Sequence, residues 1–117
     1  MDDSVLLRQP NILWLTQRLS AVVITLICPF LIYKILNLKS FDYESICRWI
    51  AAPWTTAVLA LTLVSLIYHS YLGLKVIIED YIFHYERRHQ ILKTLQLIAF
   101  VLIGFSLYFL MKIARIY

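Results

Sequence analysis

A single histidine, His69, lies deep within the second of three long apolar stretches in this 117-residue sequence. An ionisable side chain at membrane depth is energetically costly, and it marks a functional site by default. One interpretation is a neutral imidazole that bridges two helices through a hydrogen bond. The other is a metal ligand, because histidine is a common axial ligand of heme iron.

The residues that follow His69 on the same helix face favour the ligand. At 100° per residue, Gly73 lies about 40° from His69 around a helix, and Asp80 lies about 20° from it. A glycine one turn from a histidine lets a flat macrocycle approach the backbone, as heme requires. A second axial histidine is lacking at this depth, because His84 and His89 both fall in a polar segment. We therefore predict half of a heme site, formed by His69 and Gly73, whose other half belongs to another membrane protein of the same complex.

Asp80 and Tyr81 close the same stretch, at the expected membrane surface. Eleven residues of helix separate Asp80 from His69 by about 16 Å. A phenol beside a carboxylate can hydrogen-bond a quinone carbonyl and relay a proton. The alternative is that both are ordinary helix-end residues, with Tyr81 in the aromatic belt of the membrane.

Arg18 opens the first apolar stretch, within a polar cluster that also contains Gln17 and Ser20. The uncharged run that follows Arg18 spans only about 22 Å as a helix, so we expect this side chain to be drawn partly into the membrane. A buried guanidinium suits a heme propionate, a phosphate or a carboxylate. The alternative is an interfacial arginine whose charged end reaches the water.

Three stretches without Asp, Glu, Lys or Arg must position these residues. They contain 15 residues after Arg18, 26 after Arg48 and 18 after Lys93. A helix needs roughly 20 apolar residues to cross the hydrocarbon core, and these stretches lack the alternation of barrel strands. We predict an all-α integral membrane protein with one domain, residues 1–117. Its three transmembrane helices cover about residues 11–36, 50–80 and 90–113.

The connecting segments indicate how the chain lies in the membrane. Residues 1–10 form a polar lead-in, residues 37–48 a short amphipathic connection, and residues 84–89 a compact polar loop. With three spans, the lead-in and the loop share one side. The pair Arg87 and Arg88 favours the cytoplasmic or matrix side for that loop. The expected location is a bacterial or mitochondrial inner membrane.

Composition restricts the partners. The chain is 62% hydrophobic and only 15% charged, which leaves too few charges for the surface of a soluble domain of this size. Its net charge of +4 arises from Lys and Arg at the ends of apolar runs, so it does not indicate nucleic-acid binding. Three helices cannot enclose a large cofactor well, because cofactor sites in bundles are usually built from four or more helices. We expect a second membrane protein as partner, and the three spans then form part of a heterodimeric helical bundle.

The motif His69-x3-Gly73-x6-Asp80-Tyr81, on the second of three spans, resembles the small hydrophobic membrane-anchor subunits of succinate dehydrogenase, respiratory complex II. The start of the first span, Trp14-x-x-Gln17-Arg18-x-Ser20-Ala21, is similar to the same family. The resemblance covers the whole chain in topology and these two motifs in residue detail.

This resemblance implies a heme b shared with a second three-helix anchor subunit, with one axial histidine from each chain. It makes His69 the iron ligand of this chain and places Arg18 near the heme and the quinone. Tyr81 then hydrogen-bonds ubiquinone beside Asp80. An iron–sulfur subunit binds on the side of residues 84–89, followed by a flavoprotein subunit. Succinate chemistry lies outside this chain, which is a non-catalytic anchor that contributes to quinone reduction.

Three other functions stay open at the level of sequence. A fumarate reductase anchor would run the same chemistry in reverse. A cofactor-free structural subunit of another respiratory complex would use His69 as a contact between helices. A small transporter subunit would place His69 and Asp80 on a proton path.

Overall fold

The computed structural model describes the backbone of residues 3–117 and the side chains of residues 12 and 14–117. Four helices follow one another: α1 (Asp3–Leu36), α2 (Tyr43–Ala51), α3 (Pro53–Tyr81) and α4 (Tyr85–Ile116). Three helical segments, Trp14–Leu36, Pro53–Tyr81 and Tyr85–Ile116, are long and apolar enough to cross a membrane. The predicted all-α membrane fold with three spans is confirmed.

The spanning helices are longer than the stretches predicted from the sequence. Helix α1 begins at Asp3, whereas Pro10 predicted a start at residue 11. A proline removes one backbone donor but has a helical φ, so a helix can continue through it at the loss of one hydrogen bond. Helix α1 also continues without interruption through Pro29.

The connection after α1 contains a short helix of its own. Asp42 caps α2 by accepting a hydrogen bond from the backbone N–H of Ser45 at 3.4 Å. Hydrogen bonds from the side chains of Ser40 and Ser45 lower the pKa of Asp42 to about 2. Glu44 and Arg48 then form an ion pair one turn apart. Helix α3 starts with Pro53 in its first turn, where the missing N–H needs no partner within the helix.

The polar segment before α4 is shorter than predicted. Residues 82–84 are irregular, and residues 85–89, expected to be loop, form the first turn of α4. His84 caps this helix, because its Nδ1 accepts a hydrogen bond from the backbone N–H of Arg87 at 3.5 Å. Unpaired backbone donors at a helix start need such an acceptor, so a polar run beside an apolar stretch can extend the helix.

Helix α3 lies in the middle of the structure. It packs against α1 on one side and α4 on another, while α2 contacts both α3 and α4. No contact between α1 and α4 is found in the part of the chain that the structure describes. The accessible surface is 9079 Å², against about 6,600 Å² for a compact soluble protein of this mass. Much of the helical surface is therefore left for lipid or for another protein.

Candidate functional site

The hydroxyl of Ser20 in α1 meets the imidazole of His69 in α3. Ser20 Oγ lies 3.0 Å from His69 Nδ1. Ser20 is 7% exposed, and His69 is partly buried. The same hydroxyl lies 2.8 Å from the backbone carbonyl oxygen of Gln17, one turn earlier in α1. Side chains thus join two of the spanning helices at the depth of His69.

Two small polar residues precede His69 on the same face of α3, one and two turns earlier. Thr62 and Ser65 are both buried, and they lie about 20° and 40° from His69 around the helix. The hydroxyl of Thr62 donates to the carbonyl of Val58 in its own helix at 2.7 Å. Such internal bonds satisfy hydroxyls where water is absent, and small side chains let two helices approach closely.

The other ring nitrogen of His69, Nε2, makes no hydrogen bond within the described residues. Because the two ring nitrogens point in nearly opposite directions, an Nδ1 turned towards α1 leaves Nε2 turned away from it. A neutral imidazole with one nitrogen held by a second group and the other available is the usual arrangement of a metal-binding histidine. The donor set therefore fits one axial position of a heme.

Gly73 leaves open space beside this histidine. A Cβ added to Gly73 would have no heavy atom of the described residues within 4 Å, apart from its chain neighbours and the backbone of its own helix. Val76, on the same face and one turn further, is 46% exposed. Packing among the described residues therefore gives no reason for a glycine at position 73. A flat cofactor lying against the helix would supply one.

Asp80 and Tyr81 lie at the end of α3 and are both exposed, with Tyr81 at 78%. Asp80 shares the face of His69, whereas Tyr81 lies about 120° from that face around the helix. Within the described residues neither side chain forms a hydrogen bond. A pocket at this point would need walls from another chain.

Arg18 is not brought to His69 within this chain. It lies about 160° around α1 from Ser20, the residue that contacts His69. Its guanidinium lies over the ring of Trp14, 5.3 Å from the ring centroid, and Arg18 is exposed. Any anionic group that Arg18 binds must therefore reach the outer surface of α1.

The groove between α3 and α4 has few polar groups that could bind a ligand or take part in a reaction. This groove of about 250 Å³ is almost entirely apolar, and residues such as Leu66, Leu74 and Ile98 line it. Leu66 lies about 60° and Leu74 about 140° from His69 around α3, so the groove begins at the edge of the His69 face and extends towards α4. No group of three His, Cys, Asp or Glu side chains comes together in the described part of the chain.

The contact between Ser20 and His69 was not predicted from the sequence. Ser20 was grouped with Gln17 and Arg18 in a polar cluster, and none of the three was paired with His69. Helix rotation separates these neighbours, since Ser20 faces α3 and Arg18 faces outwards. The signal that could have found the pair is depth: two polar residues at similar depth in adjacent spans are natural hydrogen-bond partners.

Comparison with known proteins identifies the family to which this chain belongs. The family model of succinate dehydrogenase/fumarate reductase transmembrane subunits matches residues 5–109. A succinate dehydrogenase hydrophobic membrane anchor subunit of Rickettsia conorii is 35% identical over 91 residues, which cover 77% of this chain and 72% of the relative. The protein of the same name from Rickettsia felis is 32% identical over 91 residues, covering 78% of this chain and 76% of the relative.

The residues matched by the family model include both sequence motifs. The resemblance to the succinate dehydrogenase anchors is confirmed. The three apolar helices agree with an integral membrane location. The chain therefore belongs to the family of succinate dehydrogenase/fumarate reductase transmembrane subunits, as one of its small membrane anchors.

Proposed function

We propose that this chain is the anchor of a succinate:ubiquinone oxidoreductase and holds one heme b together with a second three-helix anchor. The observation that carries the proposal is His69, held at Nδ1 by Ser20 within a membrane span, with Nε2 without a hydrogen bond in the described residues. The family match supplies the class of complex. The names of the Rickettsia relatives favour succinate oxidation and a bacterial inner membrane.

Three residues of this chain would bind the heme. His69 would hold the heme iron through Nε2, and the second anchor would supply another ligand. Gly73 would let the macrocycle lie close to α3, where none of the described side chains lies within 4 Å of an added Cβ. Arg18 would face a propionate at the outer surface of α1, because a guanidinium binds a carboxylate with two parallel hydrogen bonds. When bound, the heme supplies a one-electron redox centre inside the membrane.

Asp80 and Tyr81 would form this chain's share of the quinone site. The Tyr81 hydroxyl donates a hydrogen bond to a quinone carbonyl oxygen, which favours the negative charge that develops as the quinone is reduced. Asp80 lies beside it at the membrane surface, where a carboxylate can exchange protons with water. Both side chains are exposed in this chain, which suits a pocket whose remaining walls come from the second anchor and the iron–sulfur protein.

The iron–sulfur protein is proposed to dock at the membrane surface where residues 82–84 lie. The flavoprotein would bind beyond it. Tyr81 closes α3 on this side, so electrons from the iron–sulfur clusters would reach the quinone over a short distance. Arg87 and Arg88 lie at the start of α4 beside this surface. Their positive charge favours the cytoplasmic side in a bacterium.

The test is the reduced-minus-oxidised spectrum of the purified complex. His69→Ala should abolish the b-type spectrum while the subunits still copurify, since one axial ligand is lost. His89→Ala is the matched control, because this histidine is exposed near the start of α4 and stacks on Tyr85. A b-type spectrum that persists unchanged in His69→Ala would refute the ligand assignment and favour a cofactor-free structural role.

A fumarate reductase anchor is the second candidate, because the matching family model includes both enzymes. The two differ in the direction of electron flow, which depends on the potentials of the quinone and of the redox centres. Measuring succinate oxidation with ubiquinone and fumarate reduction with reduced menaquinone in the same purified complex separates them. Faster fumarate reduction would favour this second candidate.

A further inference from the structure

Ser20 has two polar contacts but only one hydroxyl proton. Its Oγ lies 2.8 Å from the Gln17 carbonyl oxygen and 3.0 Å from His69 Nδ1. A carbonyl oxygen can only accept a hydrogen bond, whereas a ring nitrogen of neutral histidine can either donate or accept. The arrangement of protons along this short chain of atoms is therefore restricted.

Both contacts are satisfied by one arrangement. An oxygen–oxygen distance of 2.8 Å is typical of an O–H···O hydrogen bond, and without a proton between them the two oxygens would repel each other. The Ser20 proton therefore belongs on the Gln17 side. The Ser20 oxygen is then an acceptor towards His69, and Nδ1 must carry the imidazole proton. Nε2 is left with its lone pair.

We propose that Ser20 is a positioning residue for His69, whose hydroxyl accepts the Nδ1–H and so fixes the tautomer in which Nε2 can bind iron. This inference rests on the proposed heme site and assigns a second residue of this chain to it. Ser20 is 7% exposed, so water competes little for the Nδ1–H. A hydrogen bond to the distal nitrogen also makes the imidazole a stronger electron donor and holds the plane of its ring.

Two consequences follow from this role, and the second distinguishes it from simple packing. The residues that hold a metal-binding histidine typically contribute ~10–100-fold to metal affinity. We therefore expect Ser20→Ala to lower the heme affinity of the complex by a factor in that range. A weaker donor stabilises ferric iron less, so the reduction potential of the heme that remains should become more positive. Loss of packing alone would release heme without a defined direction of this shift.

The experiment compares variants in the assembled complex, with heme content per flavin and the heme midpoint potential as readouts. Ser20→Ala should lower the heme content and raise the potential, whereas Ser20→Thr keeps a hydroxyl on the same carbon and should restore both. Ser65→Ala is the matched control, because it also removes a buried hydroxyl near His69. Should Ser20→Ala fail to assemble, Ser20→Cys, with its weak hydrogen-bonding thiol, should show the same two changes.

The outcomes separate this inference from the proposed heme site. Normal heme content and an unchanged potential in Ser20→Ala, or in Ser20→Cys if that variant alone assembles, would overturn the role of Ser20. The heme site itself would stand as long as His69→Ala loses the spectrum. If Ser20→Ala and Ser65→Ala have equal effects, Ser20 acts through packing and the inference is wrong. If His69→Ala keeps its spectrum, the heme proposal fails, and the role of Ser20 fails with it.

Discussion

The guanidinium of Arg18 lies 5.3 Å from the ring centroid of Trp14, one turn earlier on the outer surface of α1. Trp14 is 57% exposed, whereas Ser20, only two residues after Arg18, is 7% exposed. Helix α1 therefore presents a positive charge outwards and a hydroxyl inwards within a single turn. The Ser20 hydroxyl contacts His69 of the same chain. The Arg18 guanidinium is exposed and can bind a group outside this chain.

Replacing Arg18 tests whether that outside group is part of the heme. Arg18→Gln should shift the heme midpoint potential to more negative values, because a nearby positive charge favours ferrous over ferric iron. Redox titration of the purified complex measures this shift. Lys34→Gln is the control, since Lys34 lies at the other end of α1 and also has its cation over an aromatic ring, at 5.5 Å from Phe30. An unchanged potential in Arg18→Gln would assign Arg18 to the membrane interface instead.

Adding a side-chain carbon at Gly73 should weaken heme binding and leave the chain folded. A Cβ at this position meets no heavy atom of the described residues within 4 Å outside its own stretch of helix, so Gly73→Ala should insert and assemble normally. Overpacking against a bound macrocycle costs roughly 1–3 kcal/mol, which weakens heme retention about 5- to 150-fold. Heme content per flavin is the measurement. Gly104→Ala offers a matched control, because a Cβ at Gly104 in α4 also meets no heavy atom within 4 Å. Equal heme content in both variants would contradict the prediction.

Removing the phenol hydroxyl at the end of α3 should separate two activities of the complex. Tyr81→Phe should slow ubiquinone reduction by about 100-fold, the lower end of what a positioned proton donor contributes. Succinate oxidation by an artificial acceptor should be unaffected, because it bypasses the quinone site. Tyr33→Phe is the control, an exposed tyrosine near the other end of the membrane. Equal quinone reduction in the two variants would remove Tyr81 from the site.

Asp42 caps the N-terminus of α2 outside the membrane, and the stability that this cap contributes should depend on pH. The pKa of Asp42 is lowered from 3.8 to about 2, chiefly by hydrogen bonds from Ser40 and Ser45. A lowered pKa means that the stabilising contribution is complete above about pH 4 and is lost as the pH falls towards 2. Asp42→Ala should therefore raise amide hydrogen exchange in residues 43–46 several-fold at pH 7. Exchange equal to that of the parent chain would show that the cap contributes little.

The sequence predicted the spans but not all of their ends. Hydropathy and the spacing of charges identify three membrane helices because water and hydrocarbon select residues by chemistry alone. Helix ends depend on which backbone groups find a partner. His84 accepts a hydrogen bond from Arg87 N–H and so turns an expected loop into the first turn of α4. The helix through position 10 likewise continues past a residue that usually ends one.

The site around His69 was likewise predicted only in part from the sequence. Its depth in the membrane, and its alignment with Gly73 and Asp80, follow from the sequence, because a regular helix converts residue number directly into height and angle. The tertiary structure decided that Ser20 holds Nδ1, that Arg18 points away, and that α3 lies between α1 and α4. These relationships depend on how each helix is rotated against its neighbour. Packing between helices fixes that rotation, and the residue spacing within any one helix does not.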